Sequence, residues 1–214
     1  MKRFILTIPI QTGRGLKKVH YECGDGTELL KNNRETSFPI IVPMSNAVKK
    51  DETIKVTALL IDREKVPVNY ELFKQELDEL ANEIGFKYEL NDIRMDDRED
   101  SKTHLKLFKD LAREFAGSSD EELYASITYG TKPMPMLMLM ALTYAYKLCD
   151  SFTIESIVYG SMVHSMDDSV PPKCCIYDVS SLFYLNSAVN NMAGLDLDDP
   201  LALIDQMTNE EGEA

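Results

Sequence analysis

"ITYGTKPMPM", Ile127 to Met136, is the stretch on which the fold turns. Ile127 closes an apolar run that reads as a buried strand. Gly130 permits a tight turn or a close backbone approach. Pro133 suits the first position of a helix, where its missing N–H would have had no partner, and Pro135 is still within the first turn, where proline is tolerated. A strand that turns through glycine into a helix is a β–α corner, and open parallel sheets bind ligands outside the carboxyl ends of their strands, at such corners. The two prolines remove N–H donors that a helix start would offer an anion. A phosphate or ribose held here is expected to rely on the amides of Tyr129, Gly130 and Thr131, the hydroxyls of Thr128 and Thr131, and the charge of Lys132, with the Tyr129 ring as a stacking face for a base. A plain structural corner with proline stops is the alternative.

Outward from this corner, apolar runs alternate with helical patterns, which predicts an α/β protein with a mainly parallel sheet covered by helices on both faces. Strands are expected at Arg3–Ile10, Ile54–Asp62, Tyr88–Met95, Leu123–Tyr129, Thr153–Gly160 and Lys173–Val179. Helices are expected at Tyr70–Ile84, ended by Gly85 in the left-handed conformation, at Lys102–Ala116, at Pro133–Leu148 and at Ser181–Ala193. Between the first two strands the reading is open: LKKVHYE alternates like a strand, GDG is a turn, and a short helix lies before PMSNAVKK ends. Pro133–Leu148 is nearly apolar all round, as a core or interface helix would be, and Met134, Met136, Met138 and Met140 read as core filling.

The 214 residues, 44% of them hydrophobic, suit one large domain, or one with an appendage. Met1–Ile10 is a strand-length apolar run without a signal-peptide cleavage site, and the charge-free run Pro133–Tyr146 falls short of the roughly 20 apolar residues that span a bilayer. A soluble, membrane-free, cytoplasmic protein is expected, and the four cysteines (Cys23, Cys149, Cys174, Cys175) fit free thiols in a reducing compartment. Neither they nor His20, His104 and His164 show metal-ligand spacing, so no metal and no cofactor is expected. The net charge of −13 disfavours a grip on long nucleic acid. The charge is uneven, with Lys2, Arg3, Arg14, Lys17 and Lys18 near the start and an acidic segment from Asp196 onward, so an anionic ligand must be small and bound locally.

The first strand leads into a comparable loop, IPIQTGRGLKK. Gln11 and Thr12 carry hydrogen-bonding side chains, and Gly13 and Gly15 flank Arg14. The third glycine of the dinucleotide-binding fingerprint is absent, which argues against a nicotinamide enzyme. Two polar, cation-bearing loops at one sheet edge point more firmly to a ligand than either does alone.

Three stretches, FILTIPIQTGRGLKKVHYE, TYGTKPMP and IYDVSSLFYLNSAV, together resemble the CRISPR-associated Rossmann fold (CARF) family of type III CRISPR systems, over most of the chain from Met1 to about Ala193. The resemblance implies a Rossmann-like domain over 1–165, a C-terminal strand and helix extension over 166–195 packing on the domain or dimer, and an acidic tail or linker stub over 196–214. It further implies a homodimer that binds a cyclic oligoadenylate second messenger on its two-fold axis, as a sensor in antiviral defence, with cyclic tetra-adenylate favoured over hexa-adenylate. By position, Gln11, Thr12, Gly13 and Arg14 match the first pocket loop and Thr128, Tyr129, Gly130, Thr131 and Lys132 the second. The commoner family corner has a histidine before the glycine and an arginine soon after, where this chain has Tyr129 and Lys132. A fused or separate effector is the implied partner.

The alternative function is a metal-independent ring nuclease, with Thr12, Arg14 and Lys132 as catalytic candidates that would hold the 2′-hydroxyl in line and offset the developing charge. A ribonuclease signature from Arg98 and His104 is a weak third reading, because REDSKTH lies in an acidic loop before a helix. His164 with Ser161 and Asp167 lacks the nucleophile elbow of a hydrolase.

Overall fold

The computed structural model describes residues 1–11, 16–31, 34–116, 119–149, 151–163, 172–192 and 199–209. In chain order the elements are β1 (Lys2–Thr7), β2 (Val19–His20), β3 (Glu22–Cys23), a 3-10 turn (Glu28–Leu30), β4 (Glu35–Thr36), α1 (Ile41–Ala47), β5 (Thr53–Ile61), α2 (Val66–Ile84), β6 (Lys87–Met95), α3 (Ser101–Phe115), β7 (Glu121–Ser126), α4 (Pro133–Leu148), β8 (Phe152–Val163), β9 (Lys173–Asp178), α5 (Ser180–Met192) and α6 (Pro200–Asn209). They form two compact units, Met1–Ser180 and Ser181–Ala214. The first unit runs past 165 because β9 joins its sheet. In the second, Leu201 and Ile204 belong to the ten-residue helix α6, within the stretch 196–214 expected as an acidic tail or linker stub.

The sheet of the first unit has seven strands in the order β3-β9-β8-β7-β1-β5-β6. Strands β8, β7, β1, β5 and β6 are mutually parallel, β9 is antiparallel to β8, and β2 pairs with β4 in a separate two-stranded ribbon. This is the α/β, Rossmann-like architecture expected. Leaving β1, the chain moves outward through β5 to β6, and then returns to the other side of β1 for β7 and β8. The strand order therefore reverses between β1 and β7, which are hydrogen-bonded neighbours in register Lys2↔Glu122 to Leu6↔Ser126.

Side-chain alternation explains the layering. Phe4, Leu6 and Ile8 enter a core with Val56, Ala58 and Leu60 of β5, Ile41 and Met44 of α1, and Phe73, Leu77 and Leu80 of α2. Arg3, Ile5 and Thr7 alternate to the opposite face, where the Arg3 guanidinium lies 5.7 Å from the ring centroid of Phe115 in α3. A strand covered on both faces must be apolar on both, hence the unbroken run FIL. Helix α2 ends at Gly85 with φ +87°, as expected, and α3 starts at Asp100, whose carboxylate accepts from the Thr103 amide at 2.8 Å.

Several boundaries differ from expectation for local reasons. The ladder of β1 stops at Thr7 because Pro9 has no N–H to extend it. Strand β7 stops at Ser126, three residues before Tyr129, because the chain begins to turn into the corner. Helix α4 has the expected bounds, but only Met134 and Met138 are buried, whereas Met136 and Met140 are 67% and 56% exposed. Residues two apart on a helix point in nearly opposite directions, so four alternate methionines cannot all face one core. Among the described residues no helix is long and apolar enough to cross a membrane.

Candidate functional site

The carboxyl edge at the β1/β7 reversal carries the corner after β7 and, on the neighbouring strand, the residues that lead out of β1. Gln11 is exposed beyond β1, while Thr12, Gly13 and Arg14 lie outside the described residues, as do His164 and Asp167. On the neighbouring strand the corner Ile127–Lys132 is built stepwise. The Ile127 amide donates to the Val158 carbonyl at 3.0 Å, keeping the chain against β8 for one more residue. Thr128 Oγ1 accepts from the Gly160 amide at 2.8 Å and from Ser126 Oγ at 3.1 Å, so this hydroxyl is committed to the corner itself.

Tyr129 reaches away from the corner. Its hydroxyl donates to the Ser37 carbonyl at 2.8 Å, and its ring packs against the α1/α2 core. The Tyr21 phenol lies next to the Tyr129 hydroxyl. Burial first, and then the Tyr129 group, pushes the Tyr21 phenol well above its ordinary value; burial raises Tyr129 as well. Both therefore stay neutral, and Tyr129 acts as a strut. Beyond Ser37 the network continues: the Ser37 amide donates to Glu76 at 3.1 and 3.2 Å, and Thr36 Oγ1 donates to the same carboxylate at 2.5 Å. Glu76, on α2, is 4% exposed and thus anchors the segment after β4.

Gly130 follows with φ +107°, in a region that side-chain-bearing residues rarely adopt. A Cβ there would sit 2.9 Å from Thr7 Cγ2 and 3.0 Å from Met134 Cγ, so glycine is needed for the close approach as well as the turn. The Thr131 carbonyl accepts from the Met134 amide at 3.0 Å and starts the first turn of α4. Lys132 is exposed and has no ion pair among the described residues.

Among the described residues, three side-chain oxygens are buried without any hydrogen-bond partner: Thr7 Oγ1, Ser37 Oγ and Thr131 Oγ1. They are the last residue of β1, the residue clamped by Tyr129, and the residue after Gly130. An unpaired buried hydroxyl costs on the order of 1–3 kcal/mol; Thr7 and Thr131 flank Gly130, and Ser37 lies at the far end of the Tyr129 side chain.

Sequence reading brought Thr128–Lys132 and Gln11 to this edge but missed Thr7 and Ser37, which read as ordinary strand and loop residues. The signal for Thr7 lay in its place: a polar residue closing an otherwise apolar strand. The ribonuclease pair does not assemble: Arg98 Nε donates to Asp96 at 3.1 Å, whereas His104 Nε2 is 3.2 Å from Glu99. Among the described residues, the arrangement at the reversal offers hydroxyls, amides and one free cation, which can hold a small polar or anionic ligand but supply no evident general base. Compared with known proteins, the chain matches no family model and no curated sequence.

Proposed function

We propose that this protein binds a cyclic oligoadenylate, cyclic tetra-adenylate in preference to hexa-adenylate, across the β1/β7 reversal, as a sensor of the CRISPR-associated Rossmann fold kind. What carries this reading is topology. The loop after β1 and the corner after β7 emerge from adjacent parallel strands where the strand order reverses, the place at which open α/β sheets take nucleotides. The orphan hydroxyls of Thr7, Ser37 and Thr131 support it, because a ligand's phosphate oxygens or ribose hydroxyls would supply the partners they lack. Lys132 adds an uncommitted cation. The −13 net charge favours a compact anion over a long one.

Exposed Met136 and Met140, one and two turns beyond Lys132 on α4, support pairing with a second copy that brings two such corners together. The test is calorimetry of cyclic tetra-adenylate and cyclic hexa-adenylate against wild type and Lys132→Ala, with chromatography of the incubated ligand. Saturable binding of the tetramer, weakened at least about tenfold in the variant, is expected. Linear products would convert the reading to a ring nuclease, and no binding of either ring would overturn it.

A further inference from the structure

One strand away on the other side of β1, the carboxyl ends of β5 and β6 open into a cleft of 290 Å³. Leu60, Val66 and Met95, all buried, form its apolar wall; Asp62, Arg63 and Arg94 bring polar groups to it. The geometry points to a second binding site there, for a neutral ribonucleoside, with Asp62 accepting from the two vicinal ribose hydroxyls and the base lying against the apolar wall and the Arg94 guanidinium. This site does not rest on the reading proposed for the β1/β7 edge.

Four observations lead to it. Size comes first: ligand clefts run from about 300 to 1,000 Å³, so this one holds a single nucleoside and excludes a dinucleotide or an oligoadenylate ring. Asp62 directly follows β5, the strand beside β1 in the first half of the doubly wound sheet, where an acidic side chain meets ribose hydroxyls in proteins of this architecture. Its carboxylate has no hydrogen bond or ion pair among the described residues, although its own amide is fixed to the Met95 carbonyl at 2.8 Å. An acceptor-only group held at the mouth of a cleft and left unpaired suits a vicinal diol, which offers two donors side by side.

The arginines settle the charge of the ligand. Arg94 Nε donates to Asp92 at 2.9 Å, and Arg63 Nε donates to Asp97, so a carboxylate behind each guanidinium already offsets its charge while orienting its plane. The lining itself contains two cations, Arg63 and Arg94, and two anions, Asp62 and Asp96. With no surplus positive charge, a phosphate gains little over a neutral ligand. A guanidinium locked through Nε still offers a flat face for a base and free Nη donors for its edge.

Adenosine, 2′-deoxyadenosine and adenosine 5′-monophosphate are titrated separately into the full chain, followed by backbone amide shifts in NMR. Adenosine is expected to saturate with a Kd of about 0.1–1 mM, with shifts confined to 60–67 and 94–96. Loss of one ribose hydroxyl, or Asp62→Asn, should weaken it about tenfold or more, and Arg94→Ala by less. The 5′-phosphate should bring no tenfold gain. Both substituted residues are exposed, so the fold tolerates the changes. Equal affinity for the 2′-deoxy compound, indifference to Asp62→Asn, shifts at 128–132 instead, or no saturation would each overturn the site. None of these outcomes depends on whether a cyclic oligoadenylate binds.

Discussion

The two ends of one sheet are built on opposite principles. At the amino edge every buried charge has its partner. Arg3, 3% exposed, sets Nε 2.6 Å and Nη2 3.1 Å from the two oxygens of Glu121, reaches Glu114 at 3.3 Å, and shares Glu121 with Lys55 at 2.8 Å. Lys2 and Glu52 close the rim at 2.7 Å. Beyond the carboxyl ends of the same strands lie, among the described residues, the hydroxyls of Thr7 and Thr131 with no partner, a lysine without an ion pair and an unpaired aspartate beside a cleft. Strands that share a register and a core thus finish with saturated electrostatics at one end and unspent hydrogen-bonding capacity at the other. The first arrangement can only hold the strands together, and the second costs stability unless something binds there.

The sharpest way to break this contrast is to remove Arg3. Arg3→Ala leaves Glu121 buried with Lys55 alone, and a buried pair broken from one side costs about 3–5 kcal/mol, to be read as a fall in the urea midpoint at neutral pH. The pH dependence carries the same signature. Burial would raise the Glu121 carboxyl, but the hydrogen bonds and charges of Arg3 and Lys55 outweigh it and hold the group below its ordinary 4.5. A depressed folded-state pKa stabilises the fold above that ordinary value and loses its contribution as pH falls through the folded value. Wild-type stability should therefore decline with acid below about pH 4.5, and Arg3→Ala should decline less steeply; parallel curves would remove Glu121 from the account.

Next in size is Gly130→Ala. The positive φ and the 2.9 Å approach to Thr7 together predict a loss of about 1–3 kcal/mol, measured by thermal unfolding, with ligand binding at the corner impaired because the turn must shift. Smaller still is Tyr129→Phe, which deletes the hydrogen bond to the Ser37 carbonyl and should cost about 1 kcal/mol. If Tyr129 is a strut rather than a stacking platform, the phenylalanine keeps the ring but loosens the segment around Ser37, and faster amide exchange at Phe38 would report it. Unchanged exchange there would return Tyr129 to the ligand.

How far the sequence reveals all this depends on the range of the interaction that decides each feature. Helix α4 is legible to the residue, because Pro133 and the apolar run are local signals, and α2 ends where Gly85 says it must. The parallel run of the central strands follows from alternating β and α patterns, whereas their order around β1 appears only in the fold. The ribbon β2–β4 is not legible, since strands of two residues carry no periodicity and exist only through pairing. The exposure of Met136 and Met140 is concealed for a different reason: a helix apolar all round does not announce which side faces the sheet. At the candidate edge, Gly130 and Lys132 stand out in the sequence, whereas Thr7, Ser37 and Asp62 become distinctive only when folding withholds a partner from each.

The smallest expected effect tests the contrast most directly. Thr7→Val and Thr131→Val remove a buried oxygen that has no partner among the described residues and put a methyl in its place, so they should leave stability unchanged or raise it by up to about 1 kcal/mol. A hydroxyl whose loss helps the fold is retained for another purpose. The same variants should weaken ligand binding at the β1/β7 edge, whereas Thr57→Val, which takes away from the middle of β5 an acceptor 3.5 Å from the Arg3 guanidinium, should reduce stability slightly and leave binding alone. Thermal unfolding and calorimetry on the three proteins separate the two ends. If Thr7→Val and Thr131→Val instead lower the melting temperature without touching binding, their oxygens have partners in solution, and the carboxyl edge is as saturated as the amino edge.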